Sequence, residues 1–177
     1  ILSIAIGLRL WNITWGLPQL YEEAVPLGVS WRFWNWGETG LSFNPNFFVY
    51  PAFTFYLQFI VQSIHYLIGF AFGAFGNLEM FRQAHDANIT SFAVTARSIT
   101  VLFDVGTIVA TFQLGSSYAD RRVGLVAALL IALNPLLVQE AHLINVDTPL
   151  TFFVMVSLLL IYRAYTEPSM KWYVLSG

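Results

Sequence analysis

Cysteine is absent from all 177 residues, which excludes disulfides and thiolate metal sites and leaves the redox compartment open. Charge is nearly as scarce. Asp, Glu, Lys and Arg together make up 10% of the chain, against about 25% in a soluble globular domain. So few charges cannot cover the surface of a water-soluble fold. The net charge is −2 and the pI is near 5.8, so the sequence lacks the basic excess of a nucleic-acid binder, and no nucleic-acid partner is expected. Residues 1–6 show neither a basic start nor a small-residue cleavage site, so no cleavable signal peptide is expected there. There is no internal repeat, and no pair of Gly/Pro-broken helices with the symmetry of a transporter.

What the chain has instead is apolar length. Hydrophobic residues make up 57% and the mean hydropathy is +0.65. Long apolar runs occupy residues 92–116, 123–138 and 149–162. At about 1.5 Å per residue such runs approach a hydrocarbon core about 30 Å thick. The expectation is an all-α, polytopic transmembrane helical bundle, multi-pass in the cell membrane, with membrane lipids around it. Residues 1–15 read as a first membrane helix ending in Trp11 and Trp15, aromatic types enriched at the bilayer interface. Residues 16–91 read as a first external loop and 92–177 as further membrane helices. The start without Met and the helix-like 171–177 suggest that 1–177 is the N-terminal transmembrane portion of a larger membrane protein.

Within the loop, residues 19–46 alternate aromatic and polar side chains, predicting a helix in the interface plane. Residues 47–75 predict a long helix or bent pair with a Gly69-x-x-x-Gly73 packing surface, and 76–91 a polar connector. The basic short loops at Arg121-Arg122 and 163–171 belong on the cytoplasmic side. That places Asp147 on the outer face and, with the first helix running outward, Glu22 and Glu23 as well. Residues 47–75 then embed in the outer leaflet without crossing it, the alternative being a full crossing that puts the two acidic sites on opposite faces.

Ionisable groups beside membrane segments usually face a cavity, a partner or a substrate. Glu22-Glu23 is an adjacent carboxylate pair; unless a cation compensates, repulsion favours retention of one proton, and such a group can act as a general base. Arg97, near an outer helix end, can snorkel to headgroups or clamp a phosphate with its planar fork. Asp104 lies about two turns deeper and is expected to pair with Arg97 or with another helix. His142 and Asp147 lie in a polar knot at 139–148. Its Glu-x-His spacing is not a specific metal motif, so no metal and no cofactor is expected. Asp147-Thr148 before Pro149 reads equally as a helix start.

Taken in order, these pieces resemble the beginning of a GT-C fold glycosyltransferase of glycosyltransferase family 39, which includes protein O-mannosyltransferases and aminoarabinose-transferase-like enzymes. The resemblance is carried by Glu22-Glu23, Asn44-Pro-Asn-Phe-Phe-Val-Tyr-Pro51, Ala96-Arg97, Arg121-Arg122-Val-Gly124, His142 and Asp147-Thr-Pro-Leu-Thr-Phe-Phe153. It implies sugar transfer from a polyprenyl-phosphate-linked donor to an acceptor at the outer membrane face. Glu22 and Glu23 would then be catalytic, and Arg97, His142 and Asp147 would bind substrate. Position 22 is Glu where the family usually has Asp, which displaces the carboxylate by roughly 1 Å, a shift that can lower a rate about 100-fold. The alternative is therefore a catalytically inactive GT-C-like structural subunit, with other membrane-protein subunits as partners.

Overall fold

A computed structural model describes residues 1–167 and 169–176. Among the described residues the regular structure is entirely helical: α1 (Leu2–Leu10), α2 (Ala24–Arg32), α3 (Phe53–Ala71), α4 (Leu78–Ala87), α5 (Thr90–Tyr118), α6 (Arg121–Leu133), α7 (Pro135–Ala141), α8 (Asp147–Thr166) and α9 (Met170–Ser176). By length and composition α3, α5 and α8 can each cross a membrane, and α6 with α7 forms a fourth candidate, bent by 61°. The chain is a helical membrane protein.

The helices fall into two compact units. The first comprises Ile1–Trp11, Thr100–His142 and the chain from Asp147 onward. Its core is built from small side chains: Ala5, Ala128 and Ala132 surround Ile108, with Phe112 and Ile131 packed against them. Small residues let helix backbones approach closely where apolar bulk gives no advantage over lipid. At the tightest approach a Cβ on Gly115 would lie 3.0 Å from the Gly124 Cα, and one on Gly124 would lie 2.6 Å from the Phe112 carbonyl oxygen. Gly124→Leu should therefore destabilise the protein by about 1–3 kcal/mol through overpacking. Gly7→Leu, where a Cβ meets nothing within 4 Å, should leave the thermal midpoint in detergent unchanged; equal midpoints for both variants would refute this packing account.

The predicted run 123–138 is broken. Pro135 has no N–H to continue the ladder, and Asn134 starts α7 by accepting hydrogen bonds from the amides of Leu136 (3.0 Å) and Leu137 (3.3 Å). Asp120 caps α6 in the same way, through the amides of Arg122 and Val123. Helix α8 starts at Asp147 and carries Pro149 in its first turn, where a missing N–H leaves no bond unmade. The residues expected to open another helix form α9; Pro168 and Gly177 of the predicted segments lie outside the described residues.

Buried in this unit is an ion pair between Arg9 of α1 and Asp104 of α5. Asp104 is thus paired with another helix, α1, which is the second of the two expected arrangements; the first, with Arg97, is not made. Arg9 also donates to the carbonyls of Ala132 (2.9 Å) and Ala5 (3.2 Å).

The second unit comprises Asn12–Ile99 and Leu143–Val146. Here α2 packs on α3. The predicted interfacial helix over 19–46 is only the nine residues of α2, and the segment between Phe33 and Ala52 contains no helix, because Asn35, Gly37, Gly40 and Asn46 adopt positive φ. The supposed polar connector 76–91 contains α4, capped by the Asn77 side chain, which accepts from the Met80 amide. Residues 47–75 contain one helix, α3, which starts only at Phe53 and ends at Ala71. Gly73 lies beyond it with φ +76°, and a Cβ on Gly69 would run into the Phe75 ring. These glycines build the turn after α3 and do not form a packing surface for another helix.

Helix α3 is inverted relative to a soluble helix. Gln58 and Gln62 are buried with Phe55 and Val61, while Ile60, Ile64, Leu67 and Ile68 are exposed. The Gln62 amide donates to Ser30 Oγ (2.7 Å) and accepts from the Trp34 indole (3.0 Å). Gln62 is thus paired inward, Gln58 is buried with its Oε1 lacking a hydrogen-bond partner, and the apolar stripe is left outward, where lipid suits it. Trp31, Phe81 and Phe92 close the aromatic part of this unit, with the His85 ring stacked on Trp31 at 3.8 Å.

Candidate functional site

The acidic pair sits in the second unit, on the turn that leads into α2. Leu17 and Leu20, from the irregular segment before it, pack against Leu27, Ala93, Ala96 and Ile144. That apolar anchor fixes the turn against the first part of α5, and the two carboxylates take different surroundings. Glu22 is exposed. Glu23, one residue on, is only 4% exposed.

Glu23 meets Arg97 side-on. Arg97 Nε donates to Oε1 at 2.8 Å and a terminal nitrogen donates to Oε2 at 2.6 Å, the two-pronged geometry that matches guanidinium to carboxylate. The other terminal nitrogen donates to the carbonyls of Ile13 (2.6 Å) and Trp15 (2.8 Å). Glu23 Oε1 accepts a third bond, from the Ile144 amide at 2.9 Å. Three separate stretches of chain therefore converge on one buried ion pair: the 13–23 segment, α5, and the turn 143–146.

This geometry reassigns two expected roles. The repulsion between adjacent carboxylates is relieved, because Arg97 supplies the compensating charge to Glu23. The guanidinium expected either in headgroups or on a phosphate is 1% exposed and saturated by Glu23 and two carbonyls. Burial of such a pair is tolerated only when hydrogen bonds satisfy both partners, and here they do. Glu22 is left as the carboxylate of the pair that an incoming molecule can reach.

His142 and Asp147 belong to the first unit. His142 caps the C-terminus of α7, its amide donating to the Gln139 carbonyl, and its Nε2 is buried with no hydrogen-bond partner. Asp147 is exposed at the start of α8, its carbonyl accepting from the Thr151 hydroxyl. Among the described residues no group of three or more His, Asp or Glu side chains is placed to hold a metal ion.

Two participants escaped the sequence reading. Arg9 sits in the last turn of the apolar α1, and a charge in such a segment demands a buried partner, which the structure shows to be Asp104. The Ile144 amide carries no sequence signal at all, since any residue but proline offers an N–H.

The family model for dolichyl-phosphate-mannose-protein mannosyltransferases matches residues 88–177, a stretch that holds Arg97, His142 and Asp147. No curated protein and no solved structure matches the chain significantly. The matched stretch is just over half of the sequence, and the chain belongs to the dolichyl-phosphate-mannose-protein mannosyltransferase family.

Proposed function

We propose that the protein is a membrane glycosyltransferase that moves a sugar from a polyprenyl-phosphate-linked donor to an acceptor hydroxyl, with Glu22 as the general base. The observation that carries this reading is the asymmetry of the acidic pair: Glu23 is locked by Arg97 and Glu22 is left exposed beside it. A base must be held in place and still be reachable. The Glu23–Arg97 pair supplies the holding, and the free carboxylate supplies the reach.

In the proposed step the Glu22 carboxylate takes the acceptor hydroxyl proton as its oxygen attacks the anomeric carbon. The bond from that carbon to the phosphate oxygen breaks, and the lipid phosphate leaves with the electron pair. His142, with its unpartnered Nε2, and Asp147 are assigned to substrate contact. Arg97 is assigned to positioning the 13–23 segment, not to the phosphate. Family membership supports a lipid-linked sugar as the donor class.

The proposal requires the acidic turn to lie on the outer face. Single cysteines at Glu38 and Asn88 should react with a membrane-impermeant maleimide applied outside intact cells, whereas one at Arg122 should react only after permeabilisation. Protection at Glu38 in intact cells would place the carboxylates on the wrong side and remove the proposed reaction.

A further inference from the structure

Helix α6 stops at Leu133 and α7 starts at Pro135, so the bend leaves carbonyls in the last turn of α6 without their normal partners. The Ile131 carbonyl would receive the amide of residue 135, but Pro135 has none. The Ala132 carbonyl would receive the Leu136 amide, but that amide is taken by the Asn134 side chain. Such groups must be satisfied inside a bilayer, where water does not serve them.

Arg9 reaches both. One terminal nitrogen donates to the Ala132 carbonyl at 2.9 Å and the other to the Ile131 carbonyl at 3.4 Å, while Nε is held by the Asp104 carboxylate. The Ile131 oxygen also receives the Asn134 amide at 3.3 Å, so the sharpest dependence is at Ala132. Arg9 and Ala132 are both 0% exposed. A point charge such as Lys can answer Asp104 but has no planar fork to serve the carboxylate and the carbonyls together.

We propose that Arg9 is a positioning residue that locks the α6–α7 bend, with Asp104 orienting its fork, and that the lock fixes the direction in which α7 carries His142. The part concerning His142 as a substrate contact rests on the function proposed above. The lock itself does not.

The test uses the full-length protein in lipid nanodiscs, with nitroxide labels on cysteines introduced at the exposed positions Val126 and Gln139. Their separation, measured by pulsed electron spin resonance, reports the bend. With Arg9 present the distance distribution should be narrow. Arg9→Lys, which keeps the charge, should broaden it. Asp104→Asn, which keeps the Arg9 bonds to the carbonyls and an oxygen acceptor for Nε, should stay close to the starting protein. In a Pro135→Ala background, where residue 135 regains its amide, Arg9→Lys should add no further change. A narrow distribution in Arg9→Lys overturns the proposal, as does the same broadening with and without Pro135. If Arg9→Lys does not fold, a folded Arg9→Lys/Pro135→Ala protein still supports the lock, and failure of both overturns it. Transfer assays on the same samples read the His142 clause separately: misplacement of a substrate contact by about 1 Å should lower kcat/KM by up to about 100-fold. A chain with no transfer activity would sink the proposed function and leave the distance result to decide the lock.

Discussion

Glu22→Gln is expected to abolish sugar transfer while leaving the fold intact. The substitution preserves size and removes the negative charge that makes the side chain basic enough to take the acceptor proton. Loss of a general base lowers rates by typically 10²–10⁴-fold, below detection for a slow membrane transferase. The exposed position of Glu22, outside the Glu23–Arg97 pair, means that nothing buried is left unsatisfied, so thermal stability should not move. Glu22→Asp is the informative companion, since it restores the residue usual in the family and should retain or raise activity. The assay needs full-length protein, a polyprenyl-phosphate sugar and a counted transfer product. Turnover in Glu22→Gln equal to that of the unaltered protein would eliminate Glu22 as the base. If the unaltered protein turns over no such donor and instead copurifies stoichiometrically with another membrane complex, the structural-subunit reading takes its place.

Arg97→Leu should affect stability far more than any exposed change. It strands the Glu23 carboxylate in a site that is almost closed to solvent, and breaking a buried pair by removing one partner costs about 3–5 kcal/mol. That is a large share of the 5–15 kcal/mol that typically holds a domain together. The carbonyls of Ile13 and Trp15 and the amide of Ile144 lose their partners or their alignment with it. Removing both charges, in Glu23→Leu/Arg97→Met, leaves no unpaired ion and should recover much of the loss. The readout is the thermal midpoint in detergent, with protease cleavage in the 13–23 segment as a local report. A single variant as stable as the starting protein, or a double variant as unstable as the single one, would show that the ion pair does not hold these three stretches of chain together.

The contrast between these two neighbours marks how far the sequence could be read. Composition declared the membrane helices, because a chain this poor in charge has no other way to fold, and α5 and α8 came out within a few residues of their expected ends. Glu22, Glu23 and Arg97 were visible as costly charges near apolar runs. Their division of labour was not, because it depends on which carboxylate turns inward, and that is settled by Leu17 and Leu20 packing against α5. The Asn134-Pro135 break was present in the sequence but was masked by the uninterrupted apolar character on both sides. Helix α4 was hidden for the opposite reason: its polar residues resemble a loop until Asn77 is seen to cap it. Arg9 was passed over within a short apolar stretch, although a lone guanidinium there has few outcomes other than a buried partner.

The same long-range pairs impose an order of events during synthesis. Arg9 is made 95 residues before Asp104, and Glu23 is made 121 residues before Ile144. At about 5–20 residues per second, the first charge waits on the order of 5–20 s for its partner, and the acidic turn waits somewhat longer for its last hydrogen bond. During that interval Arg9 must be sheltered by something other than this protein's own core, such as the insertion channel or the headgroup layer. The acidic turn cannot reach its final form until the chain has been threaded through α5, α6 and α7, so a ribosome stalled in α7 would leave a protein with that turn still open.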